Sequence, residues 1–512
     1  MPSAATAAGP PRSRLGLIVA SPVFAPALAA ALLVVVAVPL AAALNIWIDE
    51  AYSLHTTGSG VPYAWHESVV FELQPPLYFI LLALWRLADE SSVVLARAPS
   101  IGFAAAGVAT IVVAARRLAP KVPPVAVACV TALNPIVVWA AVETRAYALI
   151  LFLGAFLVVT FVDGFLATER SRRAQAWYVA AGIAGMYTQY YVGFVLLAQA
   201  ITLVVVRRAA LRPFIVCGAV IALAFAPFLP IVALHVRASS GGDVQRVAFT
   251  HALHEMANVS FAYLLPHDVG WRGPLKLAGF GLAAILAVSL LWFGRPRIDP
   301  RGRWLILYWL AGCLTFSVFF AVAGEAFDLR RHAIVLAPPV MLAGYAIVSA
   351  LTRRRQLLGW VAFGVYAVFS AGSFWWLYSP PVSKTGDWRR VAATIAGAGP
   401  ALPVAVFPSN TEYALDWYLP SARFVPIPGP MPFDADYLRA MTLHDQAQVA
   451  AALAPVRTDP EIWLVSDGSC DGGPKTYDFH CDDLEDYFAR HYLLEGHLRF
   501  HGADVKRFRR AQ

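Results

Sequence analysis

Three short stretches carry side chains able to do chemistry together. The first is "NIWIDEAYSL" (45–54), where Asp49 and Glu50 follow an uncharged apolar run over 22–44. The second is "VETRAYAL" (142–149), with Glu143, Arg145 and Tyr147. The third is "EAFDLRRHAIVLAPP" (325–339), with Glu325, Asp328, Arg330, Arg331 and His332. Glu72 stands between the first two, just before Pro75-Pro76. A carboxylate can take the proton of an attacking hydroxyl. A guanidinium can hold a phosphate through forked, charge-assisted hydrogen bonds and stabilise charge growing on it as it departs. Acids and arginines gathered at one level therefore suit transfer of a group from a phosphate to a hydroxyl. The plain alternative is that the acids end a helix and meet water, while the arginines snorkel to an interface.

The surrounding elements fix that level. The chain is 59% hydrophobic and 14% charged, where a soluble chain carries about 25% charged residues. The deficit is concentrated before residue 380, in apolar stretches of roughly 18–23 residues, each long enough to cross hydrocarbon as a helix. The net charge of +8 comes from basic residues in short loops, which argues against nucleic acid as a partner and for cytoplasmic loops. These loops are "RRLAPK" (116–121), "ERSRR" (169–173), "RRAALR" (207–212), "RPRIDPRGR" (295–303) and "RRR" (353–355).

With those loops inside, spans are expected at 22–44, 93–115, 124–141, 148–167, 176–189, 190–206, 213–235, 275–293, 304–323, 332–351 and 357–377. That is about eleven crossings, the first a retained span rather than a cleaved signal. "PPLYFILLALWRLA" (75–88) is too short to cross and would invert every later loop, so it is read as a helix in the outer leaflet. Two long outer segments follow, at 45–92 and 236–273, and all three chemical stretches fall on the outer face.

After residue 378 the pattern turns soluble. Strands are expected in "LPVAVFP", "RFVPIP" and "EIWLVSDG" and helices in "DWRRVAATIAGAG", "TEYALDWYL", "LHDQAQVAAALAPV" and "DLEDYFARHY", with a closing hairpin over 493–510. The expected organisation is a mostly α, polytopic membrane helix bundle over 1–379 and a soluble, extracytoplasmic α/β domain over 380–512. Cys470 and Cys481 flank a polar loop, where a disulfide is allowed outside the cytoplasm, with a zinc site at His480 as the alternative.

Outside the cytoplasm an activated sugar is expected to arrive on a lipid carrier, whose phosphate lies at headgroup level. The stretches "WIDEAYSL", "QPPLYFILLALW", "LARAPSIGFAAAGVATIVVAARRL", "VETRAYALILFL", "YTQYYVGFVLLAQ" and "RRHAIVLAPPVMLAGY", in this order, resemble the lipid-donor, multi-spanning C-type glycosyltransferases. The likeness is to the protein-mannosyltransferase and aminoarabinose-transferase branch. It implies an inverting transferase in the cytoplasmic membrane that moves a sugar from a polyprenyl-phosphate donor to a glycan, lipid or protein acceptor. Asp49 falls on the family's catalytic aspartate with Glu50 as its acidic neighbour, while Glu72, Arg145, Tyr147, Arg330 and Arg331 fall near the donor phosphate and substrate. Gln74 departs from the basic or imidazole residue that relatives carry before Pro-Pro-Leu, and the glutamate–lysine pair of the aminoarabinose branch is not matched. No cofactor is required by the pattern; a divalent metal is possible, with His251, His254, Glu255 and His267 as contributors. "GDWRR" (386–390) also follows the last span in bacterial relatives, and Asn410, Glu412 and Trp417 are candidates for an acceptor path. The alternatives are a transporter or flippase of lipid-linked sugars, which would place charges near mid-membrane, and a non-catalytic scaffold.

Overall fold

The computed structural model describes residues 21–89, 91–239, 247–264, 299–323, 332–354, 356–378, 386–398, 402–470 and 478–511. Its helices, in chain order, begin with α1 (Phe24–Ala43), α2 (Ile48–Thr56), α3 (Val61–Val70), α4 (Leu77–Arg86) and α5 (Val93–Leu118). Next come α6 (Pro124–Ala132), α7 (Pro135–Ala141), α8 (Tyr147–Phe161), α9 (Arg172–Met186), α10 (Val192–Val206), α11 (Leu211–Phe225) and α12 (Leu229–Ser239). The last long helices are α13 (Phe249–Leu264), α14 (Trp304–Ala323), α15 (Ala337–Arg354) and α16 (Gln356–Tyr378).

Among the described residues six helical stretches are long and apolar enough to cross a membrane, and seven if α6 and α7, bent by 58°, form one span. The chain is a multi-pass membrane protein. The expected count of about eleven is not confirmed among the described residues. The helices α9 and α10 have 15 residues each, and at ~1.5 Å per residue they fall short of a ~30 Å core. The expected span at 275–293 lies outside the described residues. The α6–α7 break has a local cause: Pro135 cannot continue α6, and the Asn134 side chain accepts from the amides of Ile136 and Val137 to start α7. The bundle centres on α5, which packs against α1 and α8. In α8, Gly154 lets the backbone meet Val335, whose carbonyl oxygen would lie 2.7 Å from an added Cβ.

The C-terminal part holds α17 (Trp388–Gly397), β1 (Val404–Phe407), α18 (Thr411–Asp416), β2 (Phe424–Pro426), α19 (Tyr437–Ala440) and α20 (Gln446–Leu453). It ends in β3 (Glu461–Asp467), α21 (Cys481–His491), β4 (Tyr492–Phe500) and β5 (Ala503–Arg510). The sheet order is β2-β1-β3-β5-β4; β1 is parallel to β2 and β3, and β5 is antiparallel to β3 and β4. Cys470 and Cys481 form a disulfide at the base of α21.

Strand alternation gives the sheet two apolar faces. Val404, Val406, Trp463 and Val505 pack with Trp388 and Val391, and this cluster continues into Ile46, Ala51 and Leu54. On the other face Ala405, Phe407 and Leu464 share a cluster with Tyr52, Phe71 and Met431. Both faces of the sheet thus build on the segment that follows α1.

Candidate active site

The end of α1 is held by two arginines from distant parts of the chain. Arg97, in α5, donates to the carbonyls of Ala41 (2.6 Å), Leu44 (3.1 Å) and Asn45 (2.8 Å). Arg389, from "GDWRR", donates to the carbonyls of Ala42 and Ala43, both at 3.3 Å. Five successive carbonyls at and just beyond the helix end, where intrahelical partners run out, are satisfied by cations, which also suit the negative end of the helix. Asp387 of the same motif accepts from the Asn45 amide at 3.2 Å, and Tyr418 Oη accepts from the Ile46 amide at 2.9 Å.

Glu50 and Arg97 are both 0% exposed. Nε of Arg97 meets Oε1 of Glu50 at 2.9 Å and Nη2 meets Oε2 at 2.7 Å. Glu50 also accepts from the Thr144 amide (3.0 Å) and hydroxyl (3.1 Å). This bidentate pair ties α1, α2, α5 and the turn before α8 into one unit. Trp47 adds a parallel tie, donating its indole N–H to Glu143 Oε2 at 2.6 Å.

Asp49 lies one residue earlier in the first turn of α2, and its side chain leaves the helix on another face. It is only half-buried, unlike Glu50. Arg145 reaches the same turn: its Nη1 donates to the Asp49 carbonyl (3.3 Å), Ser53 Oγ (3.0 Å) and Glu72 Oε2 (2.7 Å). The Glu72 and Arg145 side chains are 3% and 8% exposed. Burial raises the Glu72 carboxyl above the usual range, and the Arg145 charge opposes that rise. Asp49 lies close enough for its charge to act on Glu72 and Arg145. Glu72 is aimed by an unusual backbone: Leu73 has φ of +51°, a conformation that costs a non-glycine residue about 1–2 kcal/mol, and the amides of Glu72 and Gln74 fold back onto the carbonyls of Glu67 and Ser68.

Asp49, Glu72 and Arg145, separated along the chain, are therefore brought together. Tyr147 begins α8 beside them but is 7% exposed and stacks on Trp139 with ring centroids 4.9 Å apart. Arg330 and Arg331, with Glu325 and Asp328, lie outside the described residues. The next residue, His332, packs edge-on to Tyr191 at 4.9 Å. Among the described residues no group of three histidine, cysteine or acidic side chains is placed to hold a metal; His251, His254 and Glu255 lie in α13, and His267 is outside the described residues.

The sequence reading passed over Arg97 and Arg86, both buried in apolar helices. Arg86 donates to the Leu54 carbonyl (2.5 Å) and Thr57 Oγ1 (2.8 Å) at the end of α2. A charge inside an otherwise apolar run was the available signal. It also missed an aromatic roof from residues 431–437. Phe433 stacks on His55 with centroids 3.4 Å apart and planes 8° from parallel. Tyr437 meets Phe71 at 5.3 Å and Tyr52 at 5.9 Å. His55 also pairs with the Tyr63 hydroxyl at 2.7 Å, and burial lowers its pKa to about 4. Of the acceptor-path candidates, Asn410 is buried and donates to Tyr52 Oη at 2.8 Å, while Glu412 and Trp417 are half-buried.

No protein-family model matches the chain, and no curated protein matches it. Among solved structures, the chain is similar to ArnT from Cupriavidus metallidurans bound to undecaprenyl phosphate, with a TM-score of 0.55 at 14% identity over 93% of this chain and 97% of that one. The apo state of the same protein matches with a TM-score of 0.55 at 15% identity over the same shares. The Archaeoglobus fulgidus oligosaccharyltransferase AglB, in complex with an inhibitory peptide and a dolichol-phosphate, matches at a TM-score of 0.39 and 12% identity over 85% of this chain and 69% of that one. In its arrangement of apolar helices and a small C-terminal sheet, this chain has the C-type glycosyltransferase fold.

Proposed function

We propose that the protein is an inverting glycosyltransferase that takes a sugar from a polyprenyl-phosphate donor and hands it to a hydroxyl acceptor on the outer face of the cytoplasmic membrane. The observation that carries this reading is the meeting of Asp49 with the Glu72–Arg145 pair at the exit of α1. The fold shared with ArnT, which was crystallised with undecaprenyl phosphate, supports a lipid-linked donor. The Cys470–Cys481 disulfide supports an extracytoplasmic position for the sheet, since such bonds persist in oxidising compartments.

In this reading Asp49 is the general base. It removes the acceptor's proton as the hydroxyl oxygen attacks the anomeric carbon opposite the phosphate. The carbon–oxygen bond to the phosphate breaks, and the lipid phosphate leaves with the electron pair. Arg145 stabilises that growing charge. Its hydrogen bonds to described residues all run from Nη1, so Nε and Nη2 are available for a phosphate. Arg330 and Arg331 are assigned to the same phosphate by sequence alone. Glu50 and Tyr147 take a different role from the one expected of them. Glu50 has both oxygens engaged by Arg97 and Thr144, and Tyr147 is packed on Trp139, so both position the reacting groups rather than touch substrate. The described buried ion pairs sit at one end of the helices rather than near their midpoints, which favours surface chemistry over transport.

The test incubates purified protein with a panel of polyprenyl-phosphate sugars and follows donor consumption. One donor should be consumed, and Asp49→Asn should abolish its consumption while donor binding persists. Turnover undiminished in that variant would sink the assignment.

A further inference from the structure

The loop after β1 joins the sheet to the reacting helix. The chain leaves β1 for β2 on one side and returns to β3 on the other, with all three strands parallel. At such a switch point the loops beyond the strands' carboxyl ends part and leave a crevice. Here the loop that leaves β1 carries Ser409, Asn410 and Thr411, which are 1%, 8% and 0% exposed. Among the described residues, Ser409 Oγ, Asn410 Oδ1 and Thr411 Oγ1 have no hydrogen-bond partner. Buried polar atoms are rarely left unpaired, and three in successive residues call for a ligand. The other end of the Asn410 amide is committed: Nδ2 holds Tyr52 Oη at 2.8 Å, and Tyr52 lies three residues after Asp49 on α2.

Rings complete the surroundings. Tyr437 and Phe433 reach over from residues 431–437, each making edge contacts with Phe71 at 5.3 and 5.0 Å. Flat apolar faces with a few convergent polar groups are the usual makeup of a small-ligand site. An amide oxygen accepts from a hydroxyl, and a phenol can donate to one or accept from one. The stretch 408–417 contains no lysine or arginine, and Glu412 and Asp416 lie in it, so the wall around Asn410 suits neutral hydroxyls. The Tyr437 phenol is pushed up to about 12, by burial first and then by the charges of Asp49 and Glu72, with the Arg145 charge opposing the rise. It therefore stays protonated within reach of the reacting carboxylates.

We propose that Asn410 and Tyr437, with the Phe433 ring, seat the acceptor, and that this acceptor presents a neutral saccharide ring. The inference rests on the transferase reading above. It assigns the C-terminal part a share in acceptor choice, with Asn410 and Tyr437 as specificity-determining residues.

The test uses the full chain in lipid nanodiscs, free of sugar-based detergents. Binding of methyl α-mannopyranoside, methyl α-glucopyranoside and methyl β-galactopyranoside is read by saturation-transfer NMR, with glucose 1-phosphate as the anionic comparison. The wild type should bind at least one methyl glycoside and favour it over the phosphate. Asn410→Ala and Tyr437→Phe should each weaken that binding at least fivefold. Tyr437→Phe keeps the ring contacts, so its effect reports the hydroxyl and not unfolding. No methyl glycoside bound by the wild type, or both variants binding as the wild type does, would overturn the proposal. Consumption of polyprenyl-phosphate sugars is followed on the same preparation. A wild type that consumes none refutes the transferase reading itself, whereas donor consumption with unchanged glycoside binding in the variants refutes only the acceptor seat.

Discussion

Two arginine–carboxylate pairs, Arg97–Glu50 and Arg145–Glu72, hold the segment after α1, and they are built differently. Arg97–Glu50 is sealed, with both side chains at 0% exposure and every arm of the guanidinium bonded to Glu50 or to the end of α1. Arg145–Glu72 is joined by a single contact at 2.7 Å, and the partners are 8% and 3% exposed. The first pair is saturated by protein groups and can only hold structure. The second leaves hydrogen-bonding capacity beside a half-buried carboxylate. Burial of a charge thus does not identify a reacting group; what remains unsaturated around it does.

The contrast can be broken most severely at the sealed pair. Glu50→Ala leaves Arg97 buried without its counter-charge, and losing one partner of such a pair costs about 3–5 kcal/mol. Thermal unfolding of the purified protein should show a large drop in midpoint, with activity lost alongside. Asp49→Asn should do the opposite: an unchanged midpoint, and turnover lower by roughly 10²–10⁴-fold, the usual contribution of a general base. If both variants unfold alike, the two carboxylates are not distinct in role. Arg145→Lys keeps the charge but removes the fork. We expect roughly a tenfold rise in the donor concentration needed for half-maximal rate, about 1.4 kcal/mol, with little change in the unfolding midpoint.

The smallest effect concerns pH. His55 is held neutral by burial, with its pKa lowered to about 4, and it faces Phe433, Tyr63 and Tyr413. Both tyrosines titrate far above this range, since burial raises each. Because the folded pKa lies below the ordinary value of about 6.5, docking of the roof is fully supported above pH 6.5. It weakens as pH falls from there toward 4, since only the undocked form takes up the proton. Hydrogen-exchange protection of residues 428–441, taken relative to the intrinsic rate at each pH, should fall between pH 7 and 5, and His55→Phe should flatten that dependence.

Much of this was readable along the chain. Apolar runs announced α1, α5, α8, α14 and α15, because length and hydropathy suffice for a helix in lipid. Short apolar runs bounded by turn residues announced β1, β2 and β3, and a closing hairpin announced β4 and β5. Asp49, Glu72 and Arg145 stood out as charges in the outer segments between apolar runs. Arg97 did not, because a single cation near the start of a 26-residue helix reads as a fluctuation until its carbonyl partners are known. The Asn410–Tyr52 contact spans 358 positions, and no local pattern encodes such a pairing. The expected crossings at α9 and α10 rested on counting apolar residues, which does not reveal where a helix stops.

The arginines that finish α1 come from residues 97 and 389, and the roof comes from residues 431–437. A ribosome releases these parts in that order. On the proposed reading, the chain carries its general base through the membrane long before the surfaces that pack around it exist. On this account a half-made molecule has the acid but no enclosed chamber, and charged lipid already present in the bilayer is safe from premature discharge until translation is nearly complete.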